Sequence, residues 1–591
     1  MKRLNKIHKQ LIMIIFMTAC IVTSTFGQHA KKIVIYQLLP RYFGNKKTAN
    51  IPYGTIAQNG SGKFNDITNR ALDGLKALHV NYIWYTGVLA HASLTDYSNY
   101  GIKPDDADVV KGRAGSPYAI RDYYDVDPDL AINVDNRMIE FEALIKRTHT
   151  KGIKVLIDFV PNHVARSYYS KAKPKNVVDF GSNDDKTIAF STQNDFYYIP
   201  NEPFQVPENI NELNSPLKKL MDGKFTEFPA KATGNTVFSA SPSANDWYET
   251  VKLNYGIEYR NGKEIAHFNP VPPVWIKMRD ILTFWAKKGV DGFRCDVAEM
   301  VPVEFWEWVI PQVKIIKPEL IFMAEAYNPK AYRQYLTQGK FDYLYDKVGL
   351  YDGLKRLIKN EPNADVNDIS KVWKVESAGF GDKMVRFIEN HDEERVASKA
   401  FAGKAEFSFP AMVVAATLGT GPVMLYFGQE HGEPAGISEG FIGDDLQNGR
   451  TTIFDYWGVP NHQKWMNNGA FDGKQLSENQ KSIRNFYQKL LQITAQSEAI
   501  VKGEIVEVSS VKMNTKMYAY IRYTANQRLL IIANFDRHKA ITTDLIIPKE
   551  ILSIKQSRLT EDLLTNKKIE GATKHKIPVN VLPASAQIIQ F

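Results

Sequence analysis

Eight short runs of β-branched, aromatic and other apolar residues recur between positions 31 and 495, and helical patterns separate them. The candidate strands are Ile33–Leu38, Tyr82–Tyr85, Lys154–Phe159, Val290–Arg294, Leu320–Glu325, Phe341–Tyr345, Met384–Ile388 and Val423–Phe427. Strands that alternate with helices pair in parallel, and eight such units are the number that closes a barrel. The predicted fold class is therefore α/β, a (β/α)8 TIM barrel. The intervening segments support it: Trp275, Met278, Leu282 and Trp285 recur at helical spacing before Lys287-Lys288-Gly289, and Met138, Phe141, Leu144 and Ile145 do so before Lys151-Gly152. A basic last turn followed by glycine is a helix stop. Such apolar stripes are core packing and carry no functional meaning.

Two connections are too long for ordinary loops, Tyr85 to Lys154 and His163 to Val290. Both leave the C-terminal ends of strands, the end at which barrels of this kind carry their sites, so both are expected to wall a cleft. The second is rich in Asn, Pro, Lys and aromatics and predicts an irregular inserted subdomain over 165–270, dividing a barrel of 28–164 and 271–498. Beyond it the pattern changes to strict alternation, as in Met517–Tyr523 and Leu529–Phe535. That pattern predicts a C-terminal antiparallel β-sandwich domain over 499–591.

The first 27 residues read as an export signal. Lys2, Arg3, Lys6 and Lys9 precede an apolar stretch from Leu11 to Val22, followed by the small residues Ser24, Thr25 and Gly27, with cleavage expected before Gln28. The stretch is 12 residues long, short of the roughly 20 that a spanning helix needs. A periplasmic or secreted protein is expected. The alternative is an outer-membrane lipoprotein, in which membrane attachment would require lipidation of Cys20 in Met17-Thr18-Ala19-Cys20. Cys20 and Cys295 are the only cysteines, so a chain without its signal has none to pair. The net charge of +9 includes four basic residues of the signal. What remains is too small and too dispersed for a nucleic-acid partner, and oligomeric state is not legible.

Four predicted strand ends carry polar residues that packing does not require. They are Asp158 to His163, Arg294-Cys295-Asp296, Glu325, and Glu389 to Asp392. Three separated carboxylates, two histidines and an arginine around one barrel mouth, without a Cys pair or His-x-x-x-His spacing for a catalytic metal, suit glycoside hydrolysis. One carboxylate attacks the anomeric carbon, a carboxylic acid protonates the leaving oxygen, and further polar groups stabilise an oxocarbenium-like transition state.

In that order the four segments resemble the four motifs of the α-amylase superfamily of retaining glycoside hydrolases. Ser116-Pro117-Tyr118 with Asp122-Tyr123 and Val126-Asp127-Pro128, and Gly421-Pro422-Val423 through Tyr426, Gly428 and Glu430, extend the likeness over residues 33 to about 495. The resemblance implies Asp296 as nucleophile, Glu325 as general acid/base and Asp392 as the carboxylate that stabilises the transition state. It implies Tyr118, His163, Arg294 and His391 as substrate-binding residues, Asp158 as a brace, and Arg395 as a less uniform match. It also implies a structural calcium with Asn162 as a ligand, and an α-glucan or malto-oligosaccharide as the substrate. Trp247 and Tyr123 are further candidates to stack on sugar rings.

Glu299-Met300 departs from the Lys-His of many α-amylases. Val297-Ala298 and Lys252-Leu253-Asn254 resemble the neopullulanase and cyclomaltodextrinase branch instead; that branch usually carries an extra N-terminal β domain, whereas the barrel predicted here begins almost at once. Taken singly, an Asp at a strand end is commonly a helix cap and a His a hydrogen-bond partner; the ordered set favours catalysis. A non-catalytic glucan-binding protein on the same scaffold is the alternative of another class.

Overall fold

The computed structural model describes residues 31–591 apart from 209–219, 436–448, 509–514, 555–556 and 558–559. The export signal and Cys20 lie outside the described residues, among which no helix is long and apolar enough to cross a membrane. Eight strands form one parallel sheet: β1 (Val34–Leu38), β2 (Tyr82–Tyr85), β3 (Lys154–Phe159), β4 (Gly292–Cys295), β5 (Ile321–Ala324), β6 (Tyr343–Tyr345), β7 (Met384–Val385) and β8 (Val423–Tyr426). Neighbours follow chain order from β1 to β7, and β8 pairs with β1. The ring closes through Arg386, whose N–H donates to Pro422 O at 3.0 Å and whose carbonyl accepts from Met424 N at 2.9 Å.

Each strand is followed by a helix: α1 (Asn69–Lys76), α2 (Arg137–Thr150), α3 (Pro273–Lys288), α4 (Val303–Ile316), α5 (Tyr332–Thr337), α6 (Asp352–Lys359), α7 (Phe409–Thr417) and α8 (Glu478–Gln496). The local chemistry is the expected one. Helix α3 starts with Pro273 at its first turn and stops at Gly289, whose φ of +105° is the left-handed conformation glycine tolerates. Its apolar stripe of Trp275, Met278, Leu282 and Trp285 is buried. In β4, Gly292 is required by space, because a Cβ there would lie 2.2 Å from Ile321 O.

The two long connections form the walls of the mouth. After β2, Leu89–His91 pairs with Ile120–Val126 as an antiparallel hairpin. Within the insert, His163–Ala165 pairs antiparallel with Thr250–Lys252, placing His163 opposite Lys252.

Beyond α8, strands β9 (Glu504–Glu507), β10 (Met517–Tyr523), β11 (Arg528–Asn534), β12 (Ile541–Ile546), β13 (Glu561–Asp562), β14 (Lys567–Lys568), β15 (Lys576–Val581) and β16 (Ser585–Gln590) make two antiparallel sheets, ordered β9-β10-β11-β16-β13-β14 and β12-β15. Alternation sorts their side chains. Met517, Ala519, Ile521, Leu530 and Ile532 pack towards β12 and β15, whereas Tyr518, Tyr520, Leu529, Ile531 and Ala533 join the core of the barrel. Both faces of the central strands β10 and β11 are therefore buried, each large aliphatic side chain contributing about 1.5–3 kcal/mol. Thr417 Oγ1 and Tyr520 Oη lie 2.6 Å apart, and Trp373 Nε1 donates to Tyr518 Oη at 2.8 Å, so the sheet is fastened to the barrel by polar contacts as well.

Candidate active site

Alternation along β4 puts Arg294 and Asp296 on one face, at the strand's C-terminal end. Arg294 is fully buried and is the hub of the mouth. Its Nη1 donates to Asp296 Oδ1 at 2.6 Å and lies 3.6 Å from Asp158 Oδ1. Nη2 stands 2.8 Å from Glu325 Oε2, an ion pair without hydrogen-bond alignment. Nε donates to Tyr345 Oη at 3.3 Å, and the guanidinium carbon sits 5.2 Å from the Trp84 ring centre and 5.3 Å from that of Tyr118. The aromatic cage excludes water and strengthens each of these attractions.

Glu325 is held from two further sides. Val297 N donates to its Oε2 at 2.7 Å and Tyr327 Oη to its Oε1 at 2.5 Å. To make the first bond, Val297 adopts φ +34°, ψ +49°, a left-handed conformation that is strained for a β-branched residue. Glu299 accepts from Tyr327 N at 2.8 Å and Asn328 N at 3.0 Å, and so fixes the loop that carries Tyr327.

His391 is oriented by Gln37, whose amide donates to Nδ1 at 2.7 Å. Its proton therefore resides on Nε2, which lies 2.5 Å from Tyr118 Oη and 3.1 Å from Asp392 Oδ2. The Tyr118 ring stacks on that imidazole at 5.4 Å. His163 is oriented likewise: Asn162 Nδ2 lies 3.1 Å from its Nδ1, and the Trp247 ring meets it edge-on at 5.4 Å.

The electrostatics follow from burial. Burial pushes Asp296 up, Arg294 opposes this, and Glu325 and Asp158 add to it. Asp392 is raised by burial and by Glu325. Asp158 is pushed up to about 6 by burial against the pull of Arg294. Burial, with Lys252 and Lys111 behind it, depresses His163 to about 3, and burial with Arg294 depresses His391, so both imidazoles are neutral at pH 7. Asp296, Asp158 and Asp392 thus titrate under the pull of one buried arginine, which opposes the rise that burial imposes on each.

The structure brings Tyr118, His163, Asp296, Glu325 and Asp392 to one pocket of 310 Å³, with Trp247 in its wall. Arg294 and His391 stand directly behind these groups. Three expectations change. Tyr123 is fully buried, its hydroxyl donated to Val160 O and His163 O, so its ring packs the core and offers no face to a sugar. Arg395 is bound to Glu389 at 3.2 Å, Phe427 O at 2.7 Å and Thr451 at 2.9 Å, and braces the β7 and β8 loops.

Asn162 is the third. Its Oδ1 accepts from Lys252 Nζ at 2.7 Å, and its Nδ2 donates to Gly234 O at 2.8 Å. An ammonium thus occupies the oxygen expected to ligate calcium. Among the described residues no three His, Cys, Asp or Glu side chains stand together as a metal site. The donor set here does not fit calcium.

Sequence reasoning missed Lys111, Glu249, Tyr327 and Gln37. Lys111, Glu249 and Tyr327 line the pocket, and Gln37 reaches it through His391. The Lys252 text signalled a branch resemblance, but its partner lies 90 residues away and no local pattern reveals it.

A parallel eight-stranded barrel whose strand ends gather three carboxylates about one arginine, in a pocket of ligand-binding size, defines a glycoside hydrolase of the two-carboxylate type. The profile of the family described as alpha amylase, catalytic domain, matches residues 37–503, and the chain belongs to that family. It is similar to alpha-amylase 3 of Dictyoglomus thermophilum, with 22% identity over 549 residues, covering 90% of each chain. It is similar to neopullulanase 2 of Thermoactinomyces vulgaris, with 21% identity over 93% of this chain and 76% of the relative. Among solved structures, a maltogenic alpha-amylase from Thermotoga neapolitana shares the fold, with a TM-score of 0.58, 19% identity, and coverage of 95% of this chain and 98% of the other.

Proposed function

We propose that this chain hydrolyses α-1,4-glucosidic bonds in starch-type glucans or malto-oligosaccharides with retention of configuration. The carrying observation is Arg294, whose two terminal nitrogens stand 2.6 Å from Asp296 and 2.8 Å from Glu325. One guanidinium shared between the two carboxylates favours the close spacing of a nucleophile and acid/base pair over the wider gap that holds a water between them. In this reading Asp296 attacks the anomeric carbon while Glu325 protonates the departing oxygen. Glu325 then deprotonates the water that releases the glycosyl-enzyme ester. Asp392 and the neutral His391 and His163 receive the sugar hydroxyls, and Tyr118 supplies a flat face for the ring. Metal ions take no step.

A second reading, a cyclomaltodextrinase or neopullulanase-like hydrolase or glucosyltransferase, is favoured by Lys252 in contact with Asn162 and by Glu299 in its capping role, both departures from the α-amylase pattern. The N-terminal text supports export to the periplasm or medium, and N-terminal sequencing of the mature protein tests it. Expected are Gln28 as the first residue and no lipid on Cys20.

The deciding experiment follows products from starch, cyclodextrin and pullulan by proton NMR, with wild type and Asp296→Asn. Release of α-anomers, and a loss on the order of 10⁴-fold or more in the variant, is the expected result, and the ranking of substrates separates the two readings. First release of β-anomers, or a fully active variant, refutes the assignment; tight binding without turnover selects the non-catalytic alternative.

A further inference from the structure

One wall of the pocket comes from the β2 loop, the insert and the β8 loop, whereas the groups around Glu325 come from the β4 and β5 loops. That wall is built with unusual care. Gly112 (φ +66°) lets the β2 loop close on the β8 loop, since a Cβ there would lie 2.4 Å from Phe454 O. Arg113 N then donates to Asp455 Oδ1 at 2.6 Å and Ala114 N to Phe454 O at 2.9 Å, zipping the loops together. The zip presents Lys111, with its Nζ 6.0 Å from the Phe454 ring centre and 2.7 Å from Glu249 Oε1. Glu249 is held by Arg166 N on its carbonyl at 3.0 Å, one residue before the strand Thr250–Lys252. That places it three residues along the paired strand from His163, roughly 10 Å away.

Glu249 is only 4% exposed, yet its Oε2 has no hydrogen-bond partner. Burying an ion pair costs desolvation that packing alone does not require, and a carboxylate oxygen left unmatched adds to the cost. A sugar resolves both. Adjacent hydroxyls each donate and accept, so one can give its proton to Glu249 while the next accepts from Lys111.

We propose that Lys111 and Glu249 close the glycone end of the pocket and grip vicinal hydroxyls of the non-reducing terminal unit, so that the enzyme trims short oligosaccharides from that end. This rests on the hydrolytic reading above. The leaving group departs on the side of Glu325, its proton donor, and the zipped wall stands among the other loops. Among the described residues, the zipped wall bounds the 310 Å³ pocket on this side, so an interior stretch of polymer would have to cross it.

The test uses maltoheptaose labelled at its reducing end, and maltotriose, with wild type, Lys111→Met and Glu249→Gln, each checked for folding by near-ultraviolet circular dichroism. Wild type is expected to cut early at one bond near the non-reducing end. Each variant is expected to raise KM for maltotriose about tenfold, leave kcat within about threefold, and spread cuts to interior bonds. If wild type turns over but cuts interior bonds from the first time point, or if folded variants keep its bond pattern and KM, this inference alone is overturned. If wild type turns over no α-glucan, the hydrolytic reading falls and takes this inference with it.

Discussion

Lys252 offers the sharpest physical test of the site's construction. Methionine at this position keeps a straight side chain and deletes the ammonium. Burial depresses Lys252 from 10.5 to about 8, so carrying the charge in the folded protein costs about 3 kcal/mol at neutral pH. Against this stands the charge-assisted bond to Asn162 Oδ1 at 2.7 Å, worth about 1.5–3 kcal/mol. The variant also leaves that oxygen buried and unmatched, at about 1–3 kcal/mol. These terms nearly cancel at pH 7, so Lys252→Met is expected within about 2 kcal/mol of wild type there. The discriminating quantity is the slope with pH. Because the folded state releases its proton near 8 and the unfolded state near 10.5, the unfolded chain binds more protons throughout that window. Wild-type stability therefore rises across it, gaining about 3 kcal/mol on the variant. Urea unfolding at 25 °C, followed by tryptophan fluorescence from pH 7.5 to 10.5, measures the difference. Parallel curves for the two proteins would refute the buried ammonium. The same contact predicts that excess EDTA leaves wild-type Tm unchanged, and a drop of several degrees would show that a metal ion shares Asn162.

Asp158→Asn removes a charge that helps to raise Asp296, so Asp296 ionises at lower pH and the acid limb of the kcat/KM profile moves down. A limb that stays or moves up contradicts the shared field. Ile531→Ala, in the sheet face packed on the barrel, is expected to cost about 2–5 kcal/mol. Loss of activity and loss of β-sheet signal on heating should coincide, and two separated transitions would show that the sheet melts independently.

The barrel was legible because each of its strands is a short buried run with clear punctuation, and seven of the eight observed strands lie within two residues of the expected position at both ends. β7 is shorter than its apolar text, Met384 to Ile388, because Arg386 leaves the ladder to close the ring against Val423. The three carboxylates that the structure gathers at the pocket, Asp296, Glu325 and Asp392, were legible as candidates because strand ends are poor places for charge that packing does not require. Tyr123 misled because its strand Ile120–Val126 is buried almost throughout, and alternation cannot assign a face to a strand with no wet side. Lys111 and Glu249, or Gln37 and His391, meet only through tertiary closure, which sequence periodicity does not encode.

Helix α7 has no outward side: from Pro410 to Thr417 every residue is buried, between the barrel and strands β11 and β16. The chain changes its pattern near residue 500, but the molecule has no seam there. Exchanging the C-terminal strands for an unrelated module would strip α7 to water, however neatly the cut followed the change in pattern. The unit that can be transplanted, or inherited intact by recombination, is the barrel together with its sheet.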